Sequence, residues 1–68
     1  MRDQLPLTPQ ELRVFQLLTE GLVEKEIAAA TGIQLGTVKG YKWLIRRKLG
    51  ALTTAHAVAL AFRAGLLR

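Results

Sequence analysis

The sequence has no cysteine, a single histidine (His56), and no acidic residue after Glu26. Without cysteine there are no disulfide staples and no thiolate metal sites, a composition that fits a reducing, cytoplasmic compartment. One histidine and five acids confined to the front of the chain, with no metal-ligand spacing among them, give neither a metal site nor a catalytic constellation, so no enzymatic activity and no cofactor are expected. The N-terminus, Met1-Arg2-Asp3-Gln4-Leu5-Pro6, lacks the apolar run of a secretory signal, and no window reaches the roughly 20 apolar residues that span a bilayer. A soluble protein is expected. With 68 residues there is room for one domain, 1–68, and folding removes only roughly 60% of the unfolded surface at this size. Half of the residues are apolar and no polar low-complexity stretch is present, so only the ends, chiefly residues 1–6, are expected to be extended or disordered.

What is abundant is positive charge, and its placement matters more than its total of +5. From Met1 to Ile33 there are three bases against five acids; from Gln34 onward there are seven bases (Lys39, Lys42, Arg46, Arg47, Lys48, Arg63 and Arg68) and no acid. A basic half beside a mildly acidic half is the footprint of a surface that meets a polyanion, whether nucleic acid, membrane or acidic protein.

Periodicity and punctuation predict four helices and no strand. Thr8-Pro9-Gln10-Glu11 has the form of a capping box with proline at the first helical position, opening a helix over 9–20 with Val14, Phe15, Leu18 and Leu22 on one face and Gly21 as its stop. Glu24 to Thr31 is rich in helix formers, begins with acids that suit the positive end of the dipole, and stops at Gly32. A third helix runs from 35 or 36 to Leu49, ends at Gly50, and stacks Val38, Ile45 and Leu49 on one side. Thr53 caps a fourth over about 54–64, apolar at Ala57, Val58, Leu60, Ala61 and Phe62. His56 falls in its first turn, where it serves as cap or surface.

The second and third helices are joined by three or four residues that include a glycine, the spacing of a helix-turn-helix. Ala28 is small where the helices cross, Gly32 supplies the turn, and Val38 points back into the core; an ordinary helical hairpin is the plainer alternative. With Val38, Ile45 and Leu49 inward, the opposite side of the third helix carries Gly36, Gly40, Trp43 and Arg47, flanked by Lys39 and Arg46 on one edge and by Thr37 and Leu44 on the other. Two glycines on one helical face each cost about 1 kcal/mol against alanine, and they allow close backbone approach. A major groove roughly 12 Å wide admits such a helix, and Lys39 is the residue placed to read a base edge. Lys42, Arg46, Arg47 and Lys48 are expected to meet phosphate or solvent. For Trp43 four uses stay open: stacking on sugar, contact with a thymine methyl, binding a protein, or folding back over apolar surface.

Together these residues resemble the LuxR-type DNA-binding domain of quorum-sensing regulators, two-component response regulators and small stand-alone spore regulators. The resemblance runs from Leu7 to Leu66. It is carried by Leu7-Thr8-Pro9 with Glu11, Glu20-Gly21-Leu22, Lys25-Glu26-Ile27-Ala28, Gly32-Ile33, Thr37-Val38-Lys39, Arg47-Lys48-Leu49-Gly50, and Ala57-Val58-Ala59 ahead of Gly65-Leu66. It implies an all-α, four-helix domain that regulates bacterial transcription, with the third helix in the major groove of double-stranded DNA and the fourth pairing two subunits. Carried over residue by residue, Thr37 contacts phosphate, Lys39 reads base edges, Lys25 touches the backbone, and Glu11 and Gly21 are structural. Val58, Ala61 and Phe62 are the nominated homodimer residues, their alternative being to pack on the first helix. RNA polymerase or another regulator is a further possible partner. The chain departs from the family pattern at Thr31, Gln34, Gly40, Tyr41 and Trp43, the last standing where a polar or basic base-reader is common.

Two other readings remain beside this one. The fourth region of a sigma factor has a similar helix pair, although the capped apolar helix after Thr53 argues against it. A module that keeps the fold but uses Trp43 and the fourth helix to bind or inhibit another regulator is the second, and the two classes separate by salt dependence.

Overall fold

Thr8 and Glu11 set the start of the first helix through both halves of a capping box. The Glu11 amide donates to Thr8 Oγ1 at 3.2 Å, and the Thr8 amide donates to Glu11 Oε1 at 2.8 Å. The computed structural model, which describes residues 6–64, then runs through four α-helices: α1 (Pro9–Thr19), α2 (Glu24–Thr31), α3 (Leu35–Leu49) and α4 (Thr54–Arg63). Boundaries fall within a residue of those read from the sequence. Most of the expected extended or disordered stretch, 1–5, and the Gly65-Leu66 end of the resemblance lie outside the described residues.

Each helix starts and stops for a local reason. Beyond Thr19, the Gly21 amide reaches Leu18 O and the Leu22 amide reaches Leu17 O, the paired bonds of a Schellman ending. Val23 precedes α2 without a side-chain acceptor of its own, but the Glu26 carboxylate accepts the Val23 amide at 2.9 Å. The short link between α2 and α3 is held by Thr31, whose hydroxyl donates to Ile27 O at 2.7 Å and accepts from the Ile33 amide at 3.1 Å. Gly32, at φ +75°, takes the left-handed conformation that this reversal needs. α3 ends likewise at Gly50, φ +67°, where the Ala51 amide reaches Arg46 O at 2.8 Å. Thr53 caps α4 by accepting from the His56 amide at 3.0 Å, while His56 Nδ1 accepts from the Leu52 amide at 3.2 Å. His56 is therefore a capping residue.

α3 is the hub, with α1, α2 and α4 all packed on it and a lighter α1 to α2 contact. Phe15 and Val14 from α1, Ile27 from α2, Val38 and Ile45 from α3, and Ala57 and Ala61 from α4 form the buried core. Leu18, Leu22, Ala28, Ile33, Leu49 and Val58 are half-buried against it. Ala61 corrects one nomination. At 2% exposed it faces α3 and the core, so its methyl group cannot meet a second subunit; Val58 is half-buried, and only Phe62, 47% exposed, presents a large apolar group from α4.

One polar side chain enters this interior. Glu11 is 3% exposed, and the Oε1 that caps α1 also accepts from Lys48 Nζ at 2.7 Å, joining the start of α1 to the last turn of α3. The Lys48 hydrogen bond and then the Thr8 amide hold the carboxyl below its ordinary range, against a desolvation that would raise it.

Because the folded group ionises more readily than the unfolded one, its contribution is present at neutral pH and is lost as pH falls below the ordinary value of 4.5. Glu11→Ala should destabilise by about 2–3 kcal/mol at neutral pH, combining a lost cap with a broken, largely buried pair. Glu11→Gln should cost less, and its difference from the parent chain should narrow below pH 4.5; denaturant melts across pH check both. In contrast, α3 begins at Gln34 with no side-chain cap. Gln34→Ser should raise stability by about 1 kcal/mol, read as a higher melting temperature.

Candidate nucleic-acid interface

The face of α3 opposite the core follows from 3.6 residues per turn. Val38 and Ile45 are buried and Leu49 half-buried, which turns Gly36, Gly40, Trp43 and Arg47 outward, all four exposed. Lys39 and Thr37 are exposed on either side of that line. Trp43 is half exposed and sits under Arg47, whose Cζ lies 4.9 Å from the ring centroid, one turn further along. The stack holds the guanidinium on the outer surface. At Gly36 and Gly40 an added Cβ would meet nothing within 4 Å, so neither glycine is required by crowding inside the chain.

The remaining bases are not equivalent. Lys42, expected at phosphate or solvent, turns toward the start of α2 and pairs with Glu24 at 3.1 Å, its side chain 27% exposed. Lys48, expected in the same role, is held by Glu11. Both pairings depend on a carboxylate from another helix: Lys42, about 40° round from the inward Val38, meets Glu24 of α2, and Lys48, in the last turn of α3, meets Glu11 of α1. Arg46 is half-buried and donates from Nη1 to Leu52 O at 3.2 Å, which ties α3 to the link before α4 and leaves its other guanidinium donors uncommitted to that bond. Lys25 is exposed in the first turn of α2.

The acids of the first half thus pair with two bases of the second, and on α3 the bases without an acidic partner are Lys39, Arg46 and Arg47. Lys39, Lys42, Trp43 and Arg46 line an open groove whose far side is Thr53 and Thr54 at the start of α4. Sequence reasoning gave Thr53 its capping role but did not bring it to this face. The only signal was the shortness of the α3 to α4 link. Among the described residues no group of three histidine, cysteine or acidic side chains could hold a metal ion.

The arrangement is a helix-turn-helix whose second member offers a cationic, glycine-lined face to solvent. Residues 5–61 match the family described as bacterial regulatory proteins, luxR family. Among curated relatives, the transcriptional activator protein ExaE of Pseudomonas putida is 40% identical over 91% of this chain, and the response regulator RamR of Streptomyces coelicolor is 37% identical over 91%. The transcriptional regulatory protein YdfI of Bacillus subtilis is 36% identical over 97%. The chain spans 29%, 31% and 31% of these three proteins respectively. A match over most of the chain, on a fold whose helix pair stands where that match requires it, shows that the chain belongs to the luxR family of bacterial regulatory proteins, as a helix-turn-helix domain for DNA-binding regulation of transcription.

Proposed function

We propose that this domain binds duplex DNA sequence-specifically by laying α3 in the major groove. The observation that carries the reading is the exposed line Gly36, Gly40, Trp43 and Arg47 beside Lys39, fixed outward by Val38 and Ile45 buried behind it. Lys39, on one edge of that face, donates to a guanine edge. Thr37 and the uncapped first-turn amides of α3, together with Lys25 and Arg46, meet phosphates on either side and fix the register. Gly36 and Gly40 let the backbone come close to the base edges.

Two copies then occupy an inverted repeat, paired through α4 at Phe62 and the half-buried Val58, because one small module makes a short footprint. RNA polymerase or another regulator is the further partner this reading allows. A cytoplasmic site of action follows from the same reading. Among the described residues no helix is long and apolar enough to cross a membrane.

Gel-shift titrations on a selected site and on random duplex test the assignment. Lys39→Ala should lower affinity for the selected site by about 1–3 kcal/mol and leave random duplex nearly unchanged, whereas Lys25→Ala should weaken both alike and reduce the salt slope by about 1. Affinity that is flat against salt would overturn the reading in favour of an apolar protein contact. Gly40→Ala separates function from fold. It should stabilise the free domain by about 1 kcal/mol, because the added methyl meets nothing, while lowering DNA affinity; a rise in both would leave the glycine without a groove role.

A further inference from the structure

We infer that Trp43 sets the sequence preference of this domain by packing its indole against the C5 methyl group of a thymine in the major groove. The inference rests on the duplex-binding reading above and concerns what the α3 face recognises. Trp43 stands outside the core cluster, half exposed, and is the most exposed large apolar side chain of α3. Half of its surface stays open to solvent. Its neighbours on that side toward the start of the helix are Gly40 and Gly36, three and seven residues back, where there is open space within 4 Å of each Cβ position. Lys39 and Arg47, one turn to either side, flank the ring, and the glycine side between them is open to the bases. Arg47 covers part of the indole at 4.9 Å and restricts its motion, so less ordering remains to be done when the face is occupied.

The chemistry of the groove supplies a single apolar group on the base edges, the methyl of thymine; guanine, adenine and cytosine present donors and acceptors that lysine, not a tryptophan face, satisfies. Lys39 lies four residues before Trp43, a rise of about 6 Å along the helix, while successive base pairs are about 3.4 Å apart. The thymine therefore falls within about two base pairs of the base that Lys39 reads.

The test uses the whole 68-residue chain and the duplex it enriches from a random pool. Each thymine is replaced in turn by deoxyuridine, which removes only the methyl, and affinity is measured by anisotropy of labelled duplex. One position in each half-site should lose about fourfold in affinity, the value of one buried methyl. In Trp43→Ala the same replacement should change nothing, and Trp43→Phe should retain part of the effect. Because Trp43 is the sole tryptophan, its emission should also change on saturation with duplex. Thermal melts confirm that the variants fold. A thymine effect that persists in Trp43→Ala, or a deoxyuridine profile that is flat while binding stays tight, overturns the inference and leaves duplex binding intact. No binding to any duplex at low salt overturns both.

Discussion

The Glu11 carboxylate fixes how α3 sits in the molecule. One oxygen, almost fully buried, closes the first turn of α1 and grips the last turn of α3 through Lys48. A charge this well buried is tolerated only with its partners in place, so any arrangement of α3 on α1 that separates the pair is penalised. Arg46 bonded to Leu52 O makes a second tie in the same stretch, from α3 to the link before α4, while Lys42 paired with Glu24 fastens the helix to α2. Polar contacts to three different elements thus surround the apolar contacts of Val38 and Ile45. The uncommitted side of α3 is what is left once these are made.

That subtraction explains the character of the face. Its residues are those that a small core cannot use: two glycines, a lysine, a threonine, and an arginine stacked on a tryptophan. The stack itself contributes little to stability, about 0.5–1 kcal/mol at an exposed site. Its effect is to keep two long side chains ordered at the surface. The start of α3, lacking a side-chain cap, leaves first-turn amides without a side-chain acceptor. Such groups are a liability in a free domain and an asset beside phosphate.

Much of this was legible in the sequence, for physical reasons that differ by element. Capping residues and glycine stops are local signals, and Thr8, Glu11, Thr53, Gly32 and Gly50 each behave as their chemistry dictates. The inward stripe of α3 was legible because Val38 and Ile45 lie two turns apart on one side of the helix, half a turn round from the outward line. Ala61 was misjudged because α4 is apolar nearly all round, so periodicity does not say which side meets α3. The pairings of Lys42 and Lys48 were not legible because their partners, Glu24 and Glu11, lie 18 and 37 residues earlier, beyond any local pattern. His56 could be narrowed to cap or surface, and its Nδ1 contact with the Leu52 amide decides for the cap.

The internal pairing of Lys42 and Lys48 bears on competition among sites in a genome. Attraction to phosphate is indifferent to sequence, and every lysine neutralised from within subtracts from it. On the duplex-binding reading, so thin a cationic stripe shortens residence on arbitrary stretches of chromosome and leaves more of the selectivity to base-edge contacts than to bulk attraction.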